Sequence, residues 1–180
     1  MAEYSDNELI EMLHSDNSSY GFNLLVRKYQ KRIYNQVRRM VVDHDDASDV
    51  VQNIFIKVWQ NIDKFQANSE LYTWIYRICV NESLTFLKRK KTKFFLPIVD
   101  IEKELSGKLD GGSFTGDEIE RKLQKALLKL PEKQRIVFNL RYYDEMPYEE
   151  MSKVLDTSVG ALKASYHHAA KKIEEILLHH

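Results

Sequence analysis

The stretch "PYEEMSKVLDTSVGALKASYHHAAKKI", residues 147–173, holds two helical periods split by a short polar turn. Met151, Val154 and Leu155 form the inner face of the first. Pro147 fits its first turn, because a proline there gives up only an orphan donor. Asp156 closes it, since aspartate tolerates the left-handed conformation better than most residues. Thr157 or Ser158 caps the second helix. At about 100° per residue, Val159, Leu162, Tyr166, Ala169 and Ile173 turn inward. Gly160, Ala161, Ala164, His168 and Lys171 lie opposite, with Lys163 and Ser165 towards the flanks. No acid occurs from Val159 to Lys172.

Two short helices joined by such a turn describe a helix-turn-helix. A second helix with a small leading end fits a major groove about 12 Å wide, so that its backbone approaches the base edges. Lysines and the amides behind Ser158 are then placed for phosphates. The same pattern also suits a surface helix whose small residues serve propensity or a helix–helix contact.

Upstream the chain reads as helix almost throughout, so the fold expected is all-α. Ser5 and Glu8 form a capping box that opens a short helix ending near His14. Phe22, Leu25, Tyr29, Ile33, Val37 and Met40 step by three or four, marking a long amphipathic helix. The acids of "DHDDASD" (43–49) suit the positive end of the next, which carries Val50, Val51, Ile54, Phe55, Val58 and Trp59. After a turn around "KFQANS", Leu71, Trp74, Ile75, Ile78 and Leu87 define a fourth, ending in the basic run Lys88, Arg89, Lys90, Lys91. Beyond it the pattern collapses into "SGKLDGGSFTGDE", a glycine-rich stretch with an excess of acids. Periodicity resumes with Ile119, Leu123, Leu127 and Leu130, stops at Pro131, and restarts with Ile136, Val137, Leu140 and Tyr143. The expected organisation is a helical domain (1–91), a flexible linker (92–117) and a helix-turn-helix domain (118–180). By composition the linker is a solvated spacer; an acidic strand mimicking nucleic acid inside a basic channel is the alternative.

The chain has 180 residues, 43% hydrophobic, with six glycines and three prolines, which excludes a disordered or fibrous protein. Its formal net charge of zero argues against nucleic-acid binding through bulk charge, but the charge is patterned. Arg27, Lys28, Lys31, Arg32, Arg38 and Arg39 form an early basic cluster, while acids gather at 43–49 and 100–118. A single cysteine, Cys79, excludes an internal disulfide and, set among apolar neighbours, reads as a buried thiol. No apolar run reaches the roughly 20 residues needed to span a bilayer, and "MAEYSDNELI" lacks signal-peptide character. A cytoplasmic protein is expected. Asp43–Asp46 with His44 offers metal-ligand types, but the other histidines lie in no comparable setting, so a helix-start acid cluster is the better reading.

"DASDVVQNIFIKVWQNIDKF" followed by "LYTWIYRICVNESLTFLKRKK" resembles the first domain of bacterial extracytoplasmic-function (ECF) sigma factors. "LQKALLKLPEKQRIVFNLRYYDEMPYEEMSKVLDTSVGALKASYHHAAKKI" resembles their second. The resemblance implies a promoter-specificity subunit of RNA polymerase, not an enzyme, with no cofactor and no small-molecule substrate. It implies a first domain that binds the clamp coiled coil of the polymerase's largest subunit and opens the −10 element, and a second that reads the −35 element as duplex. It favours the nucleic-acid-mimic reading of the linker. An anti-sigma factor is a common regulator in the family.

By the resemblance, Asp46, Asp49, Gln52, Phe55 and Trp59 match polymerase-binding positions, and Asn53 adds a polar group on the same helix. Phe55 and Trp59 read first as packing residues of their own domain. Asn81 matches the position that contacts an extruded −10 base, for which an amide offers donors and an acceptor, and the turn "QANSEL" would line the pocket. Trp74 is core or stacking platform; Arg77 matches a patterned position; Lys88, Arg89, Lys90 and Lys91 are expected at phosphates. The −35 contacts expected are Ser158, Gly160, Ala161, Lys163, Ala164, Ser165, His168 and Lys171. Family members commonly carry arginine where Ser165, His168 and Ala170 stand, and glycine where Asp156 stands. Without those arginines, the −35 sequence is A·T-rich and read through methyl contacts and shape, or the domain leans on core polymerase for affinity.

Overall fold

The structure, a computed structural model, describes residues 4–65, 70–94 and 118–178. Among the described residues there are eight α-helices and no strand. These are α1 (Asp6–Leu13), α2 (Ser18–Val41), α3 (His44–Asn61), α4 (Leu71–Phe94), α5 (Glu118–Leu128), α6 (Glu132–Tyr142), α7 (Tyr148–Leu155) and α8 (Val159–Leu178), with one 3₁₀ turn, Ile62–Lys64. The all-α expectation holds. Most of the expected acidic linker (95–117) and the centre of the expected base-lining turn (66–69) lie outside the described residues, as does the Lys91 side chain.

Local sequence sets the helix ends. The Ser5 hydroxyl accepts the Glu8 amide at 3.3 Å and the Glu8 carboxylate accepts the Ser5 amide at 2.7 Å, completing the capping box. Asp43 caps α3 by accepting the Asp46 amide at 2.9 Å, so the acid cluster serves a helix start. Pro147 stands one residue outside α7, at the N-cap, rather than in its first turn; its extended backbone (φ −60°, ψ 147°) suits the pyrrolidine ring there equally well. Asp156 ends α7 in the left-handed region (φ 50°, ψ 49°), as expected.

In the first half, α2 packs against α1, α3 and α4, and α3 against α4. Leu25, Ile33, Val37, Ile54, Val58 and Ile75 are buried in its core. Each such side chain contributes about 1.5–3 kcal/mol of apolar burial. α1 comes so close to α2 that a Cβ on Gly21 would meet the Met12 Cβ at 2.8 Å, which is why glycine stands there. In the second half, α8 lies against α5, α6 and α7 around Leu127, Leu130, Phe138, Ala169 and Ile173. The halves also touch: α7 packs on α4 and α6 on α2. Leu140, Met146, Met151 and Val154 thereby join the apolar cluster that begins with Leu9.

Candidate nucleic-acid interface

α8 presents the two faces its period predicts. Leu162, Ala169 and Ile173 are buried, and Tyr166 is half-buried, stacked on Phe138 with ring centroids 5.5 Å apart. Ser158, Gly160, Ala161, Lys163, Ala164, His168 and Lys171 are all exposed, while Ser165 is half-buried. Ser158 is the cap: its hydroxyl accepts the Ala161 amide at 3.3 Å, and its carbonyl accepts the Leu162 amide. Thr157 instead turns its hydroxyl to the Leu155 carbonyl.

A Cβ built on Gly160 meets nothing within 4 Å. The fold has no steric need of glycine there, and glycine in a helix costs about 0.5–1 kcal/mol relative to alanine. The first turn of α8 has no acid, whereas α7 just before it begins with Glu149 and Glu150. The positive end of the α8 dipole is thus left uncompensated, bare and small, which suits an anionic groove.

On α4, Trp74, Arg77, Asn81 and Lys88 fall within about 60° of one another at 100° per residue. Arg77, Asn81, Lys88 and Arg89 are exposed. Trp74 is half-buried and packs on Phe65 at a centroid distance of 5.3 Å, which holds one ring edge at the head of this row. Lys90 lies about 160° around the helix from Trp74. It faces α3, where its Nζ binds the Asp46 carboxylate at 2.8 Å. The expected phosphate contact Lys90 and the expected polymerase contact Asp46 therefore neutralise each other inside the first half.

The remaining α3 candidates form one stripe. Asp49, Gln52, Asn53 and Trp59 are exposed, while Phe55 is buried, in keeping with its packing reading. Trp59, 41% exposed, rests on Phe22 at 4.9 Å between centroids. The sequence reading missed Ile56, which is 46% exposed between Gln52 and Trp59. Its i, i+4 spacing from Gln52 was the available signal, and it completes a face that is polar at one end and apolar at the other. His44 of the acid cluster binds the Tyr34 hydroxyl at 2.7 Å. Among the described residues no group of three or more His, Cys, Asp or Glu is placed to hold a metal ion, and no helix is long and apolar enough to cross a membrane.

Residues 25–93 match the family model of Sigma-70 region 2, and residues 120–173 that of Sigma-70, region 4. The chain is 31% identical to the ECF RNA polymerase sigma-E factor of Haemophilus influenzae, covering 97% of this chain and 96% of that protein. It is 30% identical to the ECF RNA polymerase sigma factor SigW of Bacillus subtilis, covering 87% and 89%. Its fold resembles that of the sigma factor RpoE of Bartonella quintana, solved in complex with the anti-sigma factor NepR, with a TM-score of 0.69, 21% identity, and 87% and 96% of the two chains covered.

Proposed function

The chain belongs to the ECF RNA polymerase sigma factors, transcription initiation factors rather than enzymes, and from that premise we propose how promoter-specific initiation is divided along it. The first half, 1–91, binds core polymerase and opens the −10 element; the second, 118–180, reads the −35 element as duplex; 92–117 tethers them. The −35 reading is carried by the bare leading end of α8, where Gly160 has no packing role and Ala161 and Ala164 keep the surface low. Lys163 and Lys171 flank it as phosphate contacts. The −10 reading rests on the α4 row, with Asn81 as base contact, Trp74 as a rigid wall beside it, and Arg77, Lys88 and Arg89 along the backbone.

On α3 the stripe Asp49, Gln52, Asn53, Ile56 and Trp59 is the polymerase-facing surface, its mixed character suiting a partner helix with basic and apolar side chains. Asp46 and Phe55 support this stripe from within. The place of action is the cytoplasm, where core polymerase works. A protein of the anti-sigma class, of the kind seen with the Bartonella relative, is the proposed regulator.

Run-off transcription tests the reading. The purified chain added to sigma-free core polymerase should confer a defined start site at a cognate promoter, and no start-site choice would refute it. Asn81→Ala should leave core binding intact and impair strand opening, read as loss of permanganate-reactive thymines around −10.

A further inference from the structure

The contact between the two halves is an apolar seam with poorly paired polar groups inside it. Arg32, Gln36 and Arg39 form one stripe of α2 at i, i+4 and i+7 spacing, facing the second half. Arg32 donates to the Asp144 backbone carbonyl at 3.1 Å and to the Tyr72 hydroxyl at 3.0 Å. Gln124 donates to the Arg39 carbonyl at 3.0 Å, and the Arg39 guanidinium lies over the Tyr143 ring.

The Asp144 carboxylate is a buried acid in this seam with one of its two oxygens unpartnered. Only 9% of the residue is exposed. One oxygen accepts from the Tyr76 hydroxyl at 3.2 Å; Arg39 Nη1 stands 3.9 Å away, beyond hydrogen-bond reach. The other oxygen accepts nothing, and both ends of the buried amides of Gln36 on α2 and Asn139 on α6 are likewise unpartnered. Burial raises the Asp144 carboxyl above its ordinary value, although Arg39, Arg32 and Tyr76 pull it down. Closing the seam strips these atoms of water without supplying partners, so its polar content opposes what its apolar content drives.

The docked arrangement cannot serve a promoter. By their names the −10 and −35 elements lie about 25 base pairs apart, about 85 Å of duplex at about 3.4 Å per step. A docked body of roughly 150 residues is only about 40 Å across. Asn81 and Gly160 cannot reach both elements until the seam opens. Residues 95–117 span at most about 80 Å fully extended, and the breadth of the two halves on either side supplies the rest of that separation.

We propose that the chain alone rests docked and closed, and that Asp144 is a built-in wedge whose underpaired carboxylate keeps the seam weak enough for core polymerase and promoter to open it. The proposal rests on the sigma-factor reading for what does the opening.

Spin labels at Glu11→Cys and Glu174→Cys, both exposed, test it by pulsed dipolar distance measurement, with buried Cys79 left unlabelled. The free chain should give one narrow distance, moving outward by tens of ångströms with core polymerase and promoter DNA. Asp144→Asn, which keeps volume and the Tyr76 acceptor but removes the charge, should stay closed and lower run-off several-fold at limiting core polymerase. Arg32→Glu, which removes the donor to the Asp144 carbonyl and adds a second carboxylate, should spread the free chain to long distances while run-off at saturating core is kept. A free wild-type chain that is already long and broad overturns the closed state. Asp144→Asn opening the chain overturns the wedge. If distances behave as stated but no variant supports run-off, the sigma-factor reading fails instead.

Discussion

Lys90 Nζ on α4 lies 2.8 Å from the Asp46 carboxylate on α3, with only 14% and 26% of the two side chains exposed. Two residues of opposite assignment, one for phosphate and one for polymerase, are spent on joining their helices. Arg89, the next residue back, is exposed. Lys90→Met should cost about 1 kcal/mol, the upper end for a pair that solvent still reaches, and lower Tm by about 2–4 °C. It should leave the salt dependence of promoter binding unchanged. Arg89→Ala should do the reverse, with stability held and the slope of log K against log salt in the holoenzyme falling by about one. A salt slope that drops for Lys90→Met would place that side chain on DNA.

Gly160 separates stability from recognition in a single substitution. With open space around it, Gly160→Ala should gain about 0.5–1 kcal/mol of stability through helix propensity. If the bare end of α8 enters the groove, the added methyl overpacks that contact. Binding to a −35 duplex, or open-complex formation by the holoenzyme, should then weaken roughly tenfold, about 1.4 kcal/mol. Thermal melts and a binding titration on the same preparation decide it; a stabilised variant that binds as before would move the recognition surface elsewhere.

The faces of α8 were legible because one helix, one period and one polar cap determine them: Leu162, Ala169 and Ile173 are buried as 3.6-residue spacing requires. The family motifs likewise pointed to the segment holding α3 and α4, which matches Sigma-70 region 2 over residues 25–93. Helical geometry alone did not remove Lys90 from the phosphate set, since a run of four basic residues wraps the helix and only the neighbour on α3 says which one turns inward. The seam was invisible for a different reason. Arg32 and Asp144 are more than a hundred residues apart, and in sequence they are a member of a basic cluster and a turn residue. The polar stripe Arg32, Gln36, Arg39 on an otherwise amphipathic helix was the one local sign that a second surface would cover it.

Cys79 is fully buried, and burial pushes its thiol far above the ordinary thiol range, with the Ser83 hydroxyl nearby pulling the other way. Burial thus disfavours the thiolate and keeps the sulfur away from reagents in the folded chain. Native protein should not react with a disulfide reagent such as 5,5′-dithiobis(2-nitrobenzoate), and one thiol should appear on unfolding. Cys79→Ser places a hydroxyl in an apolar site and should cost about 1–3 kcal/mol. Rapid native labelling would show that α4 opens around this residue.

The raised value of Asp144 fixes the sign of a pH effect on the seam. Because the docked state takes up the Asp144 proton more readily than the open one, its contribution to docking is fully present below the ordinary carboxyl value of 3.8 and is lost as pH rises through the raised one. Arg32 and Tyr76 face the carboxyl and stay protonated throughout, since burial raises Tyr76 and Arg32 is raised by its tyrosine and aspartate neighbours despite burial, and Arg39 Nη1 stands 3.9 Å from it. Glu70, Glu145 and Glu150 line the same cleft, but they are common to wild type and Asp144→Asn, so the difference between the two proteins isolates Asp144. In mild denaturant that populates both forms, the docked fractions of the two should converge in acid and separate as pH rises, with the asparagine variant the more closed at neutral pH. Equal docked fractions across that range would mean that the carboxylate is solvated in the docked form, and the wedge would lose its physical basis.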